Sequence, residues 1–228
     1  MPRYCLSAVL FDLDGTLLDT APDLGHALNQ VLVRHGMKPV TLEKVRQVAS
    51  SGSPGLIRLG FGIETIDPDY QHLRQQFIDE YMQHLAVSTT LFPGMAEALT
   101  RIENIGLRWG IVTNKSYELS KALINMLGLS ARCSVLVGGD TTSNPKPHPA
   151  PLQYACQQLN CLPNECVYVG DAPQDIQAAI NCQMPSIAAL YGYLPEDAKP
   201  EHWGAEYYID KPTDLMTWLE KFVKLKAA

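Results

Sequence analysis

The 228-residue sequence lacks any long apolar run, because even its longest stretch without Asp, Glu, Lys or Arg, residues 176–195, is interrupted by polar side chains and proline. This excludes a membrane-spanning helix as a reading of the sequence. The apolar segment near the N-terminus is interrupted at once by Asp12 and Asp14, which the apolar core of a secretory signal peptide would not carry. We therefore expect a cytoplasmic protein that has no membrane partner.

The sequence also lacks an excess of basic residues, a repeat and a low-complexity tract. Its 18 Lys and Arg residues against 24 Asp and Glu residues give a net charge of -6, so no nucleic-acid partner is expected. With 46% hydrophobic and 18% charged residues, the composition excludes a disordered chain, a coiled coil and a collagen-like repeat. The length predicts one large domain, or a core that carries a smaller insert.

The cysteines lack the C-x-x-C spacing of zinc and redox motifs, and the 6 histidines do not cluster with them at ligand spacing. Without a signal peptide, disulfide pairing is also disfavoured. We expect the cysteines to be small buried apolar residues. They are Cys5, Cys133, Cys156, Cys161, Cys166 and Cys182.

What the sequence does contain is an alternation of short, β-rich apolar runs with longer helical patterns, which predicts parallel strands joined by helices. The predicted strands cover residues 5–12, 107–114, 134–139, 166–171 and 186–190, with a last one near Glu206. The predicted helices between them cover residues 95–104, 116–127, 150–159, 173–182 and 213–224.

Residues 18–89 interrupt this alternation. They show helical patterns over 23–34, 41–48 and 70–85 and no convincing strand, while the segment from Ser50 to Gly62 is typical of a glycine-rich loop followed by an apolar turn. The predicted fold class is therefore α/β. It comprises a doubly wound, Rossmann-like parallel sheet core (1–17 and 90–228) and an inserted small all-helical cap domain (18–89), with hinges near Leu17–Asp19 and Ser88–Phe92.

Polar side chains follow several of the predicted strands at the point where each strand ends. In an open parallel sheet, ligands bind outside the carboxyl ends of the strands, so these side chains are expected to meet. A lysine in a loop flanked by two prolines, whose rings restrict the backbone, is the cation best placed to join them. The residues are Asp12, Asp14, Thr113, Asn114, Asp171 and Asp175, with Lys146 as the lysine.

Asp12 and Asp14 are two residues apart and can share one side of the chain at the end of the first strand. One carboxylate could attack phosphorus to form an aspartyl-phosphate, and the other could act as a general acid and then a base. Gly15 permits a tight turn whose backbone N–H groups can face an anion. The alternative reading is an ordinary strand followed by an Asp-Gly turn.

Asp171 and Asp175 form a second pair of carboxylates, and four converging carboxylates would repel one another unless a cation neutralised them. Mg²⁺ suits such oxygen ligands and also binds phosphate oxygens. Helix capping is the alternative role for Asp175 and for Thr113 with Asn114. For Lys146 the alternative is a solvated surface charge.

Taken together and in this order, the motifs resemble those of the haloacid dehalogenase superfamily, in FDLDGTLLDT, IVTNK, Lys146 and GDAPQD. The resemblance covers almost the whole chain, including the position of the insert. It implies Asp12 as nucleophile, Asp14 as acid and base, and Thr113 and Lys146 on the phosphoryl group. It further implies Mg²⁺ held by Asp12, the backbone carbonyl of Asp14 and Asp171, with Asp175 in support.

The segments FDLDGTLLDTAPDL and PKPHPAPL are most similar to the phosphoglycolate phosphatase branch, which implies hydrolysis of 2-phosphoglycolate. The segments LRWGIVTNK and YGYLPEDAKPEHWGAEYYID are also similar to the N-acetylmuramic acid 6-phosphate phosphatases of cell-wall recycling. Both substrates are small phosphate esters that carry a carboxylate, which Arg46 and Arg58 could bind from either side of the glycine-rich loop. The alternative for either arginine is an exposed position on the surface of a helix.

Two further activities stay open at this stage, a sugar phosphomutase and a phosphoacceptor signalling module. A phosphomutase would transfer the phosphoryl group to a sugar hydroxyl instead of water. A receiver-like signalling module also uses strand-end aspartates, a threonine, a lysine and Mg²⁺, but the chain is too long for one receiver and the insert would have no purpose in it. The sequence gives no indication of an oligomeric state.

Overall fold

The centre of the molecule is a sheet of short strands, of which the inner ones are buried on both faces. The structure is a computed structural model and describes residues 6–223. The strands are β1 (Ala8–Phe11), β2 (Leu18–Asp19), β3 (Thr90–Leu91), β4 (Arg108–Val112), β5 (Leu136–Val137), β6 (Cys166–Gly170), β7 (Ser186–Ala189) and β8 (Tyr207–Ile209). The helices are α1 (Ala21–Arg34), α2 (Leu42–Arg46), α3 (Gly52–Phe61), α4 (Tyr70–Gln83), α5 (Met95–Asn104), α6 (Tyr117–Met126), α7 (Ala150–Leu159), α8 (Pro173–Cys182) and α9 (Asp214–Val223).

The main sheet contains six parallel strands in the order β5-β4-β1-β6-β7-β8. Side chains alternate along β1, so that Val9 and Phe11 join one hydrophobic cluster and Ala8 and Leu10 join another. The first cluster includes residues of α5 and α9, and the second includes residues of α7 and α8. Helices therefore cover both faces of the sheet, which confirms the doubly wound α/β fold.

The register of the sheet explains why the strand ends coincide. Phe11, the last residue of β1, lies opposite Ile111 of β4 and Val169 of β6. Each of these three strands ends within one residue of that level, so the residues that follow them leave the sheet at the same edge. The predicted strands and core helices are all present, with ends that differ by a few residues; Cys5 and Lys224 lie outside the described residues.

The helical insertion leaves and rejoins the sheet through a short antiparallel ladder, which the sequence analysis did not predict. Leu18 pairs with Leu91 and Asp19 with Thr90, between β2 and β3. In α1, the buried carboxylate of Asp23 accepts hydrogen bonds from the backbone N–H groups of Ser88 and Thr89. The two crossings thus lie side by side at the predicted hinges, while the exact domain boundaries stay a prediction.

One element of the insertion corrects the sequence analysis: the predicted glycine-rich loop is a ten-residue helix, α3. Its glycines serve close packing, because a Cβ on Gly60 would meet Leu28 of α1 and a Cβ on Gly55 would meet the carbonyl of Val48. Leu56 and Ile57 are fully buried. A small residue at each contact lets the helix approach its neighbours, so glycine does not mark a loop here.

Among the described residues, no helix has both the length and the apolar character needed to cross a membrane. The described cysteines are all free, and Cys156, Cys166 and Cys182 are buried whereas Cys133 and Cys161 are partly exposed. Cys5 lies outside the described residues.

Candidate active site

A buried lysine joins two of the predicted carboxylates at the carboxyl edge of the sheet. The Nζ of Lys146 lies 2.8 Å from Asp12, which follows β1, and 2.6 Å from Asp175, which lies in the first turn of α8. It also donates to the carbonyl of Val112 and to the hydroxyl of Tyr168. Although burial opposes it, the two carboxylates raise the pKa of Lys146 above its ordinary value. The lysine is therefore a fixed positive charge and not a solvated surface residue.

Asp171 follows β6 and completes a compact group of acidic side chains. Its carboxylate accepts hydrogen bonds from Thr16 Oγ1 (2.9 Å), Ser50 Oγ (2.7 Å) and the backbone N–H of Tyr193 (2.8 Å). Gly15 approaches it so closely that a Cβ there would overlap the Asp171 carboxylate, and its φ of 90° is a conformation that favours glycine. Glycine at position 15 is thus needed to bring the chain this close.

Carboxylate oxygens of Asp12, Asp171 and Asp175 lie within 4.8 Å of one another, and all three residues are buried. Burial raises the pKa of Asp12 to about 6 and that of Asp171 to about 7, with neighbouring carboxylates adding to both shifts. When all three carboxylates are ionised, Lys146, their only buried ammonium partner among the described residues, leaves an excess of two negative charges. A divalent cation with a preference for oxygen would balance that excess, so these residues fit Mg²⁺.

Asp14 faces a different cation, one that the sequence analysis did not single out. Both oxygens of Asp14 lie 2.9 Å from the Nζ of Lys115, and Thr20 Oγ1 donates to Asp14 at 2.6 Å. The ammonium of Lys115 lies over the ring of Tyr81, 4.8 Å from its centroid. Although burial opposes it, the neighbouring Asp14 holds the pKa of Lys115 above its ordinary value.

Thr113 and Asn114 follow β4 beside these groups. The Oγ1 of the buried Thr113 accepts a hydrogen bond from the backbone N–H of Lys115 (3.2 Å). Asn114 forms a reciprocal pair with the backbone of Lys146, donating to its carbonyl at 3.0 Å and accepting from its N–H at 2.9 Å. Asn114 therefore fixes the loop that carries Lys146. In the same loop, the ring of His148 accepts a hydrogen bond from the backbone N–H of Ala150, so it caps the start of α7.

These strand ends open into a cavity of about 380 Å³ between the sheet and the helical insertion. On the sheet side the lining residues are Asp12, Asp14, Thr113, Asn114, Lys115 and Lys146. On the side of the insertion they include the serines 50, 51 and 53, Arg74 and the aromatic residues Tyr70, Phe77 and Tyr81. A mixed polar and aromatic lining of this size suits a small organic molecule with a charged group.

Three residues predicted to bind substrate do not line the cavity: Gly15, whose N–H donates to the carbonyl of Leu18 (3.0 Å), Arg46 and Arg58. Arg46 forms a bidentate pair with Asp19 (2.8 and 2.6 Å), and its guanidinium lies 5.7 Å from the centre of the Tyr193 ring. Arg58 pairs with Glu64 on the exposed side of α3. Each arginine thus pairs with a local carboxylate outside the cavity, and its contact with a substrate carboxylate stays a prediction.

Lys115, Arg74 and Ser50 are the site residues that the sequence analysis missed. Lys115 directly follows Asn114, so its position after a strand end was a usable signal. Arg74 and Ser50 had none, because their place depends on how α4 and the segment before α3 pack against the sheet. Ser50 joins the two parts directly, since Gln174 donates to its carbonyl (3.1 Å) while its hydroxyl donates to Asp171.

Comparisons with known proteins agree with this arrangement. Residues 9–189 match the family described as haloacid dehalogenase-like hydrolase. The chain is 39% identical to an N-acetylmuramic acid 6-phosphate phosphatase of Pseudomonas aeruginosa, over 97% of this chain and 98% of that protein. It is 42% identical to a phosphoglycolate phosphatase of Xanthomonas campestris, over 91% of this chain and 94% of that protein. A crystal structure described as a predicted phosphoglycolate phosphatase from Haemophilus somnus superposes with a TM-score of 0.83 at 25% identity, covering 96% of this chain and 99% of that one.

Proposed function

This chain belongs to the haloacid dehalogenase-like hydrolase family, and on that premise we propose that it is a Mg²⁺-dependent phosphatase that acts on a small carboxylated phosphate ester through an aspartyl-phosphate. The observation that carries the proposal is the placement of Lys146 between Asp12 and Asp175, at the base of a cavity of about 380 Å³. A carboxylate that is both buried and open to a cavity can attack a bound substrate without competition from bulk water.

In the first step, a carboxylate oxygen of Asp12 attacks phosphorus and the bond from phosphorus to the substrate's ester oxygen breaks. Lys146 and Thr113, which flank Asp12 in the cavity wall, would contact the non-bridging phosphoryl oxygens. Phosphoryl transfer requires little covalent chemistry beyond the attack, so positioning and charge neutralisation supply most of the acceleration. Asn114 contributes by holding the Lys146 loop in place.

Asp14 is the proton carrier in this proposal. It would donate a proton to the departing alkoxide and then take one from the water that attacks phosphorus in the aspartyl-phosphate, which releases phosphate and regenerates Asp12. The contacts with Lys115 and Thr20 orient the Asp14 carboxylate in the cavity wall before substrate binds. Lys115 is therefore a positioning residue for Asp14.

Mg²⁺ would be held by Asp12, the backbone carbonyl of Asp14 and Asp171, with support from Asp175, and when bound it would neutralise charge on the phosphoryl oxygens. Asp175 already accepts from Lys146 and from the backbone N–H of Ala172. We therefore assign it the task of fixing Lys146 and the start of α8 around the ion.

The substrate's carboxylate would meet Arg74. Among the described residues that line the cavity, Arg74 is the only arginine, and its Nε donates to Ser53 at 3.2 Å. That contact orients the guanidinium while its terminal nitrogens stay available to a carboxylate. The proposed substrate of this kind is 2-phosphoglycolate, the substrate named for the Xanthomonas relative.

The cavity favours a second candidate, N-acetylmuramic acid 6-phosphate, the substrate named for the Pseudomonas relative. A cavity of about 380 Å³ holds roughly thirteen waters at ~30 Å³ each, which is more space than a two-carbon acid requires. The cavity wall includes Tyr70, Phe77 and Tyr81, which offer apolar surface to a sugar ring. The two-carbon 2-phosphoglycolate has no ring that could pack against them.

The test compares kcat/KM for 2-phosphoglycolate, N-acetylmuramic acid 6-phosphate and p-nitrophenyl phosphate, with Mg²⁺, for the wild-type protein and Arg74→Gln. Loss of a charge-assisted hydrogen bond costs about 1.5–3 kcal/mol, so Arg74→Gln should lower kcat/KM roughly 10- to 100-fold for the favoured acid. The carboxylate-free p-nitrophenyl phosphate should be unaffected and reports on the catalytic groups alone.

The larger kcat/KM of the two acids identifies the substrate. Equal loss on all three esters would contradict a carboxylate contact at Arg74, and hydrolysis of neither acid would contradict the proposed substrate class. Transfer of the phosphoryl group to a sugar hydroxyl would indicate a phosphomutase. A phosphorylated form that lasts for minutes would indicate a signalling module, which rapid multiple turnover excludes.

A further inference from the structure

Three cysteine side chains meet at the amino edge of the sheet, opposite the carboxylates. Cys156 lies in α7, Cys161 in the loop that follows it, and Cys166 begins β6, the strand that ends before Asp171. The Sγ atom of Cys166 lies 3.2 Å from that of Cys161 and 4.0 Å from that of Cys156, and all three sulfurs lie within 4.8 Å of one another.

The backbone around these cysteines is held by local hydrogen bonds. The N–H of Cys161 donates to the carbonyl of Cys156 (3.1 Å), and the N–H of Leu162 donates to the side chain of Glu165 (2.8 Å). The carbonyl of Glu165 in turn accepts from the N–H of Ser7, next to β1. The three sulfurs are therefore gathered by the fold before any ligand binds, which lowers the cost of ordering a site.

Three thiol groups at this separation match the ligands of a soft metal ion. A metal–sulfur distance of about 2.3 Å in a trigonal site places the sulfurs about 4 Å apart, so a small rotation of Cys161 would suffice. Structural zinc sites have four protein ligands, whereas no fourth Cys, His, Asp or Glu joins this group within residues 6–223. The ligand number therefore favours Cu(I), which thiolates select and which accepts three ligands.

Burial and charge at the site are compatible with such an ion. Cys156 and Cys166 are buried, while the partly exposed Cys161 leaves a path from solvent. Burial raises the pKa of the Cys161 thiol, and the positive charge of Arg108, which donates to the carbonyl of Leu159 at the end of α7, partly opposes that rise.

We propose that Cys156, Cys161 and Cys166 form a binding site for a single soft monovalent metal ion, Cu(I), remote from the phosphatase site. Binding replaces the thiol protons, which are released to solvent, and involves no change of oxidation state at sulfur. Because the unfolded chain does not gather the three sulfurs, bound Cu(I) stabilises the folded state.

The experiment titrates the reduced full-length protein with Cu(I) under anaerobic conditions, against a chromophoric Cu(I) chelator. We expect one equivalent to be bound, with a higher Tm in its presence. Loss of an outer partner of a metal ligand costs 10- to 100-fold in affinity, so loss of a ligand in Cys161→Ser should cost more than roughly 100-fold. Cys161 is partly exposed, so this variant should fold, which its Tm without metal would verify.

Cys133→Ser is the matched control, because Cys133 is also partly exposed and lies outside the cluster. It should keep the wild-type affinity. Equal binding by Cys161→Ser, equal loss in Cys133→Ser, or a wild-type affinity no greater than that of a simple monothiol would each overturn the proposal. Tight binding of Zn²⁺ without Cu(I) would overturn the assignment of a three-coordinate monovalent ion.

Discussion

The sheet wall and the helical wall of the cavity differ in how their charged residues are arranged. On the sheet wall, the residues predicted from strand ends converge, and Asp12, Lys146 and Asp175 are within 3 Å of their neighbours in the group. On the helical wall, Arg46 and Arg58, chosen because they flank a glycine-rich segment, point to local carboxylates instead. The strand-end residues thus meet at one place, whereas the two arginines pair with carboxylates outside the cavity.

The difference arises from the number of orientations that each backbone allows. A residue that follows a buried parallel strand leaves the sheet at a fixed edge, since neighbouring strands share a register. A helix can place a given side chain on any side until its packing is known. Arg58 then pairs with Glu64, and Arg74 of another helix reaches the cavity.

The largest effect is expected at the sheet wall, where replacing Asp12 should abolish most of the activity. Replacing a covalent nucleophile should lower kcat by roughly 10⁴-fold or more, and Asp12→Asn keeps the size of the side chain. Phosphate release with saturating substrate and Mg²⁺ measures it, and mass spectrometry should find phosphorylated wild-type protein but no phosphorylated variant. Turnover of Asp12→Asn at near the wild-type rate would refute the assignment of the nucleophile.

The second effect concerns the stability of the sheet wall. Lys146→Met leaves buried carboxylates without their ammonium partner, which should lower the free energy of unfolding by about 3–5 kcal/mol in the presence of EDTA. Mg²⁺ should recover part of this loss if it neutralises the same carboxylates. Denaturant titrations with and without Mg²⁺ provide the measurement.

Lys115→Met is the matched control for Lys146. Lys115 is also buried but pairs with one carboxylate, Asp14, whose side chain is partly exposed. Its removal should therefore cost less, and Mg²⁺ should change that cost little. Equal losses in the two variants, with equal responses to Mg²⁺, would contradict a shared charge balance around Lys146.

The sequence was sufficient to predict the sheet, the existence of the helical insertion and the convergence of the strand-end residues, because each prediction depends on a local pattern. It was insufficient where packing decides. The glycines of α3 resemble a loop in the sequence, yet they permit close contact with Leu28 and Val48. Cys156, Cys161 and Cys166 are five residues apart along the chain, a spacing that matches no motif, and only the turn between α7 and β6 brings their sulfurs together.

A smaller effect, on stability, is expected from replacing two buried tyrosines, one in the sheet and one in the helical wall. The Tyr81 hydroxyl is buried in the helical wall and has no hydrogen-bond partner in the described part of the chain. In the sheet, the hydroxyl of Tyr168 donates to the carbonyl of Val112 (2.6 Å) and accepts from Lys146 (2.7 Å). Tyr168→Phe should cost about 1–3 kcal/mol, whereas Tyr81→Phe should be neutral or stabilising. Thermal unfolding of both variants tests this, and a larger loss for Tyr81→Phe would reverse the comparison.

The smallest effects are expected from replacing the two arginines that lie outside the cavity, Arg58 and Arg46. Arg58→Gln removes an exposed pair with Glu64 and should change the free energy of unfolding by less than about 0.5 kcal/mol and kcat/KM by less than roughly two-fold. Arg46→Gln removes a bidentate, partly buried pair with Asp19 beside the strand that enters the insertion, so its cost should approach about 1 kcal/mol. If Arg58→Gln instead reduced kcat/KM for a carboxylated substrate while Arg74→Gln did not, α3 would have to turn its exposed side toward the cavity during turnover. The helical wall would then be set by motion and not by the packing seen here.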